Sequence, residues 1–304
     1  MELSLTDTDF DFLNSFDKFD ELIIDEHGKN KLNLFMLKIN SNVFDYKNLE
    51  DNLLEPLIDF SLSRNIKDEY KHKPAHLSKK AREKFINYIR NKGELGELLL
   101  YSFLESHLNA PKILSKLELK TSTSHYVNGS DGVHFLKLDN GNYQLIFGES
   151  KTIKGLTKAL SDAFKSIDEF KREKNTKGNA KSGMSYEKSL ISDHLSKETF
   201  SYEEKSFIKN IIYPTRESNF EVDDAFGIFV GYEIEISEED KKLPNEDFRN
   251  KIKELVKNEV ESKLTHITNK INEYKLYGHN FYIYILPFTE LNKNRKAIQK
   301  AITK

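Results

Sequence analysis

The sequence predicts an α/β fold in which a mixed β-sheet is flanked by helices. Three observations predict it. Short β-prone runs alternate along the chain with segments whose apolar residues recur at helical spacing. Midway, Asp139-Asn140-Gly141-Asn142 separates Phe135-Leu136-Lys137-Leu138 from Tyr143-Gln144-Leu145-Ile146-Phe147, a strong hairpin signal that puts an antiparallel pair into the sheet. The chain has 304 residues, 38% hydrophobic and 32% charged, enough for one large core or two smaller ones.

Taken in order, residues 31–39 (Lys-Leu-Asn-Leu-Phe-Met-Leu-Lys-Ile) read as a strand, and residues 47–63 as a helix that Pro56 interrupts. Lys71-His72-Lys73-Pro74 looks like a joint. Residues 1–75 are therefore expected to form an α+β N-terminal extension, with residues 76–304 as the main domain. A helix runs from Leu77 to residue 91 and ends or bends at Gly93. The next, from Glu94 to Leu108, carries Leu95, Leu98, Leu99, Leu100, Phe103 and Leu104 and should be buried on most sides. Residues 112–120 read as a strand, followed by a polar loop over 121–130. Beyond the hairpin, Leu156, Leu160, Ala163, Phe164, Ile167 and Phe170 give an amphipathic helix over 155–172. A Lys/Asn/Gly-rich loop (174–183), helices within 184–212, and two buried strands at 225–235 and 280–287 follow, the strands separated by one long charged helix over 246–275.

The chain has no cysteine, which excludes a disulfide framework, a thiolate metal site and a thiol nucleophile, and fits a reducing cytoplasm. The acidic N-terminus lacks the basic and apolar regions of a secretory signal. The longest apolar runs are too short to span a bilayer, so no membrane partner is expected. Net charge is −2, but it is unevenly spread. Residues 1–60 hold fourteen Asp/Glu against five Lys/Arg, a net of −9. Residues 151–181 hold nine Lys/Arg against four Asp/Glu, a net of +5. That basic stretch reads either as a solvated helix face or as a seat for a phosphate backbone, with Lys154, Lys158 and Lys165 as the nucleic-acid contacts.

The chemistry concentrates on the hairpin. Asp131 lies in Gly129-Ser130-Asp131-Gly132-Val133-His134, and Glu149 and Lys151 in Phe147-Gly148-Glu149-Ser150-Lys151. Two facing carboxylates can hold a hard divalent cation, and a lysine on the same face can act on a water or a phosphate. Side chains alternate along a strand, so register decides whether they meet. A two-residue Asn140-Gly141 turn would put Asp131 and Glu149 on different faces. A three-residue loop, Asp139-Asn140-Gly141 with a left-handed Gly141, pairs Asp131 with Glu149, Val133 with Phe147 and Phe135 with Leu145. The second is favoured because it buries four apolar side chains together; His134 then points to the opposite face in a structural role. On the preceding helix Glu94 and Glu97 share a side with Tyr101. Glu94 suits an exposed first turn, whereas Glu97, beside Leu100 and Leu104, is a candidate third metal ligand.

A helix with Glu97, a strand, a strand opening at Asp131, a strand ending Glu149-Ser150-Lys151 and a helix together resemble the core of the PD-(D/E)xK, restriction-endonuclease-like, nuclease superfamily. Ser130 stands where that family's name would put a proline. More specifically, Gly93-Glu94-Leu95-Gly96-Glu97, Gly129-Ser130-Asp131-Gly132 and Gly148-Glu149-Ser150-Lys151 resemble the HamA family, nuclease subunits of Hachiman anti-phage defence. The resemblance implies a DNA nuclease using Mg²⁺, or Mn²⁺, on Asp131, Glu149 and Glu97, with Lys151 completing the catalytic set. It also implies restraint by a superfamily 2 helicase partner, HamB, for which the acidic residues 1–60 are a candidate docking or restraining segment. Two other readings stay open: a stand-alone restriction or repair endonuclease of the same superfamily, and a non-catalytic module in which Asp131, Glu149 and Lys151 form only a salt bridge.

Overall fold

The computed structural model describes residues 11–304 apart from 26, 89–92, 114–116, 118–128, 196–199 and 216–217. Its centre is a seven-stranded mixed sheet built from β1 (Phe16–Lys18), β2 (Leu22–Ile23), β3 (Lys31–Leu37), β6 (Val133–Lys137), β7 (Tyr143–Thr152), β8 (Val222–Glu233) and β9 (Phe281–Phe288). A two-stranded hairpin, β4 (Ile39–Asn40) with β5 (Val43–Phe44), lies apart from it. The order is β1-β3-β9-β8-β7-β6, with β2 also pairing β3. β3, β9, β8 and β7 run parallel, while β1, β2 and β6 are antiparallel to their neighbours. The interior strands explain their own composition. Every residue of β9 (Phe-Tyr-Ile-Tyr-Ile-Leu-Pro-Phe) is buried, as a parallel strand covered on both faces requires.

Among the described residues the α-helices, in chain order, include α1 (Tyr46–Asn52), α2 (Leu54–Ser61), α3 (Arg64–Tyr70), α4 (Pro74–Tyr88), α5 (Glu94–Ser106), α6 (Leu156–Arg172), α7 (Met184–His194), α8 (Tyr202–Ile212), α9 (Asn245–Glu261), α10 (Leu264–Glu273) and α11 (Leu291–Ile302). α5 and α6 take opposite faces of the sheet. On the α5 face, Phe103 stacks on Tyr284 at 5.0 Å and on Phe229 at 6.1 Å. On the α6 face, Phe164 meets Phe281 at 5.3 Å and Phe170 meets Phe147 at 5.3 Å.

Several expectations change. The interruption expected at Pro56 is present but falls three residues earlier: two helices part at Leu53, and Pro56 is the third residue of α2, in the first turn, where the N–H it lacks would have no intrahelical acceptor. The single helix expected over 246–275 is also two. Ser262 Oγ donates to Glu259 O at 2.6 Å and the Lys263 amide to Val260 O at 2.9 Å, and these i to i−3 bonds tighten and end the helix. The break brings α10 onto α6, with His266 Nε2 2.9 Å from Ser161 Oγ. From the strand expected over 112–120, Lys112 forms a single antiparallel bridge to His134, while residues 114–116 and 118–120 lie outside the described residues, as does most of the loop 121–130.

Residues 1–75, set apart as an extension by the sequence, supply β1, β2 and β3 to the same sheet. Phe12 and Phe35 pack on Phe103 of α5 at 4.9 and 4.7 Å. Deleting residues 1–75 would strip one edge of the sheet and bare the β9 edge beneath it. The truncated chain is expected to lose its cooperative thermal unfolding transition by circular dichroism. A sharp melt near that of the full chain would contradict this topology.

Candidate active site

The hairpin takes the register of the three-residue loop. Val133 pairs with Phe147, Phe135 with Leu145 and Lys137 with Tyr143. The Leu138 amide donates to Asn142 O at 2.8 Å, and Gly141 closes the turn at φ +85°, a conformation that favours glycine. The ladder changes at its open end. Asp131 N donates to Gly148 O at 2.7 Å and Gly148 N donates to Gly132 O at 2.8 Å, so two residues face one in a β-bulge. Asp131 is thereby offset from Glu149 rather than squarely opposite it. The next amide of β7 on that edge, Ser150, has run past the end of β6, and the Asp131 carboxylate takes the place of a strand: Oδ2 accepts from Ser150 N at 2.6 Å and from Ser150 Oγ at 2.8 Å.

Asp131, Glu149 and Lys151 line one cavity of about 190 Å³, with Gly129, Ser166 and Phe170 of α6, and Lys181 and Ser182 of the loop after it. Lys151 Nζ is ion-paired with Glu149 Oε1. Burial alone would lower the Lys151 pKa, but Glu149, then Asp131 and Asp162, outweigh it and hold the amine above its ordinary value. The loop carrying Asp131 is braced from α7: Ser130 Oγ lies 3.3 Å from Glu187 Oε1. A Cβ on Gly129 would fall 1.9 Å from Glu187 Oε2, so a larger residue there would displace that carboxylate.

Glu94 and Glu97 are both buried in the first turn of α5, but neither is among the residues lining the cavity. The reason is the alternation of β7. Gly96 lies against the even side of the strand, where a Cβ would be 2.7 Å from Thr152 Oγ1 and 3.2 Å from Ser150 Oγ; Glu149 and Lys151 face the α6 side. Glu94 neighbours the buried Arg295, whose pKa burial lowers while Glu94 raises it, and Arg295 Nη1 donates to Thr152 O at 3.4 Å. Among the described residues, no three His, Cys, Asp or Glu side chains gather closely enough to hold a metal. The pair Asp131 and Glu149 still fits a hard cation such as Mg²⁺, which takes one or two carboxylates and keeps several waters.

His134 is a buried structural residue. Its Nδ1 donates to Ala110 O at 2.8 Å and its ring lies 5.8 Å from Tyr101. Burial pushes its pKa down to about 4, so it stays neutral at neutral pH. Lys154 and Lys158 are exposed and paired with Glu233 at 2.6 Å and Asp162 at 2.5 Å. Lys165 is exposed on α6. None of the three lines the cavity. The residues that the sequence did not single out are Ser150, Ser166, Lys181 and Ser182. Ser150 had a signal, its place between Glu149 and Lys151 on a strand that outruns its partner. Lys181 had none beyond the basic charge of its stretch.

A mixed sheet flanked by helices, with two carboxylates and a lysine at the open end of its hairpin, is consistent with an α/β nuclease-like core. The family model described as HamA matches residues 11–302, and the chain belongs to the HamA family. Membership supports a role in Hachiman defence. No curated protein matches the chain. No helix among the described residues is long and apolar enough to cross a membrane.

Gly148 makes this packing testable, because a Cβ there would meet Leu100 Cδ2 at 2.9 Å and Gly132 N at 3.2 Å. Gly148→Ala is expected to destabilise the fold by about 1–3 kcal/mol in urea denaturation. A neutral or stabilising change would contradict the close seat of α5 on β7.

Proposed function

We propose that this chain is a metal-dependent DNA nuclease, the cleaving subunit of an anti-phage defence complex that acts when a superfamily 2 helicase partner, HamB, engages DNA. The observation that carries the reading is the meeting of Asp131, Glu149 and Lys151 in one cavity. Family membership favours a defence subunit over a stand-alone restriction or repair endonuclease.

In this reading Asp131 and Glu149 hold Mg²⁺ or Mn²⁺. When bound, the cation would polarise a phosphodiester oxygen and acidify an attacking water. Ser150 keeps the Asp131 carboxylate in place through two hydrogen bonds, so the ligand is positioned before the substrate arrives. Lys151 sets a positive charge where negative charge grows on the phosphate, an electrostatic role that needs no proton transfer. Glu97 is not among the residues that line the cavity, so this reading gives the cation to Asp131 and Glu149.

Control by a partner follows from the danger of an unrestrained nuclease to its own genome. The acidic segment was the candidate for it, but much of its charge has local work. Asp25 accepts the Lys29 amide at 3.1 Å and the Asn30 amide at 2.6 Å, and Asp45 caps α1 through the Asn48 amide at 3.0 Å. Asp17 pairs with Lys253 at 2.9 Å and Asp59 with Lys67. Docking therefore falls to the side chains of this segment that stay exposed, acting on an intact sheet.

A specific observation also suits the non-catalytic module, namely the Lys151–Glu149 ion pair, and catalysis separates the two. With the partner present, Glu149→Ala and Lys151→Ala are each expected to slow Mg²⁺-dependent DNA cleavage at least 100-fold, about 2.7 kcal/mol of barrier, with the partner still bound. Undiminished cleavage in either variant, with wild-type cleavage abolished by chelation, would contradict the assignment.

A further inference from the structure

We propose that Lys181 is a second phosphate-binding cation of this cavity, contacting the DNA strand at a phosphate next to the one held by Asp131, Glu149 and Lys151; the inference rests on the nuclease reading above. Lys181 lines the cavity together with Asp131, Glu149 and Lys151. It comes from a loop that the sequence marks only as Lys/Asn/Gly-rich, yet the loop is closely determined. α6 ends at Glu173, left-handed at φ +55°, and the chain turns back through Gly178 at φ +79°. Lys174 and Ala180 form a bridge, and the Lys181 amide donates to Glu173 O at 2.8 Å. Asn175 Oδ1 accepts the Lys177 amide at 2.9 Å and the Asn179 amide at 3.0 Å. The backbone at Lys181 is therefore tied to the end of α6, and α6 is tied to β7 by the contact of Phe170 with Phe147.

The side chain is aimed as well. Lys181 Nζ lies 3.0 Å from Glu169 Oε2, while Glu169 Oε1 accepts the Thr176 amide at 3.2 Å. The Lys181 side chain keeps 32% of its exposure against 14% for Glu169; the carboxylate, held also by the Thr176 amide, is the less exposed partner and the ammonium the more accessible end. Charge bookkeeping favours an anionic ligand. The lining residues carry two carboxylates, Asp131 and Glu149, and two ammonium groups, Lys151 and Lys181. A divalent cation held by Asp131 and Glu149 would leave the cavity positive even with Glu169, the partner of Lys181, counted, which suits a phosphodiester chain. Glu169 is on this account a positioning residue.

The test is binding of the full chain to a fluorescein-labelled DNA duplex and to the matching single strand, in Ca²⁺, across a salt titration. Lys181→Ala is expected to weaken binding roughly tenfold and to reduce the slope of log affinity on log salt by about one, with the thermal melt unchanged. Lys181→Arg should restore both, and Glu169→Gln should weaken binding in part with a melt close to wild type. Lys257→Ala, exposed on α9, should leave binding alone. If Lys181→Ala fails to fold, Lys181→Met keeps the apolar stem and carries the same comparison. Wild-type affinity and salt slope in the folded Lys181 variant would overturn the proposal, as would a wild-type chain that binds neither probe. Intact cleavage with unaltered binding in the variant defeats this inference alone. Binding through Lys181 with no Mg²⁺-dependent cleavage by wild type defeats the nuclease reading instead.

Discussion

The cavity depends on how closely α5 lies against β7 and β8. Three glycines permit it. Gly96 on the helix meets Ser150 and Thr152, Gly148 on β7 meets Leu100, and Gly227 on β8 meets Leu104, whose methyl carbons would stand 3.2 Å from a Cβ there. With that face filled by Leu100, Phe103 and Leu104, all buried, the even side of β7 packs on α5, buried through Gly148 and half-buried at Ser150 and Thr152. The odd side is left to turn from apolar to polar along one strand: Leu145 and Phe147 are buried, while Glu149 and Lys151 are partly open. One strand thus serves as hydrophobic wall and as chemical surface, and the change between them falls at the bulge.

That bulge answers a backbone requirement first. β7 is longer than β6, so its later amides need acceptors that a neighbouring strand no longer supplies. A buried amide left without an acceptor costs on the order of 1–3 kcal/mol. Asp131 supplies the acceptor to Ser150, and in doing so carries a negative charge to within interaction range of Lys151 and into the same cavity as Glu149. Gathering like charges in a half-buried place is unfavourable unless something offsets it. Lys151 does part of this, and under the proposed function a divalent cation would do the rest.

How much of this the sequence makes legible follows from the range of the interactions. The hairpin register could be favoured from the sequence because one of its two loop lengths pairs Val133 with Phe147 and Phe135 with Leu145, and Gly141 suits the turn it needs, all within a few residues. The buried strands β8 and β9 announce themselves as continuous apolar runs. What escaped is long-range or geometrically fine. β3 looks like part of a detached segment because its partner, β9, lies far along the chain. The α9–α10 break has neither glycine nor proline, only a serine bonding back to its own helix. Glu97 is legible as a buried carboxylate on an apolar helix, but that it does not line this cavity follows only from α5 packing on the even side of β7. Lys181 reaches the cavity through a turn whose course no periodicity encodes.

The central claim is that the bulge and the odd face of β7 build one cation site from Asp131 and Glu149. Crystals of the full chain soaked in Mn²⁺ and measured for anomalous scattering test it most directly. The account predicts a single strong peak in the cavity, touching both carboxylates, and its loss in Asp131→Asn. A strong peak elsewhere on the chain with none between Asp131 and Glu149, or an unchanged peak in the variant, would contradict it.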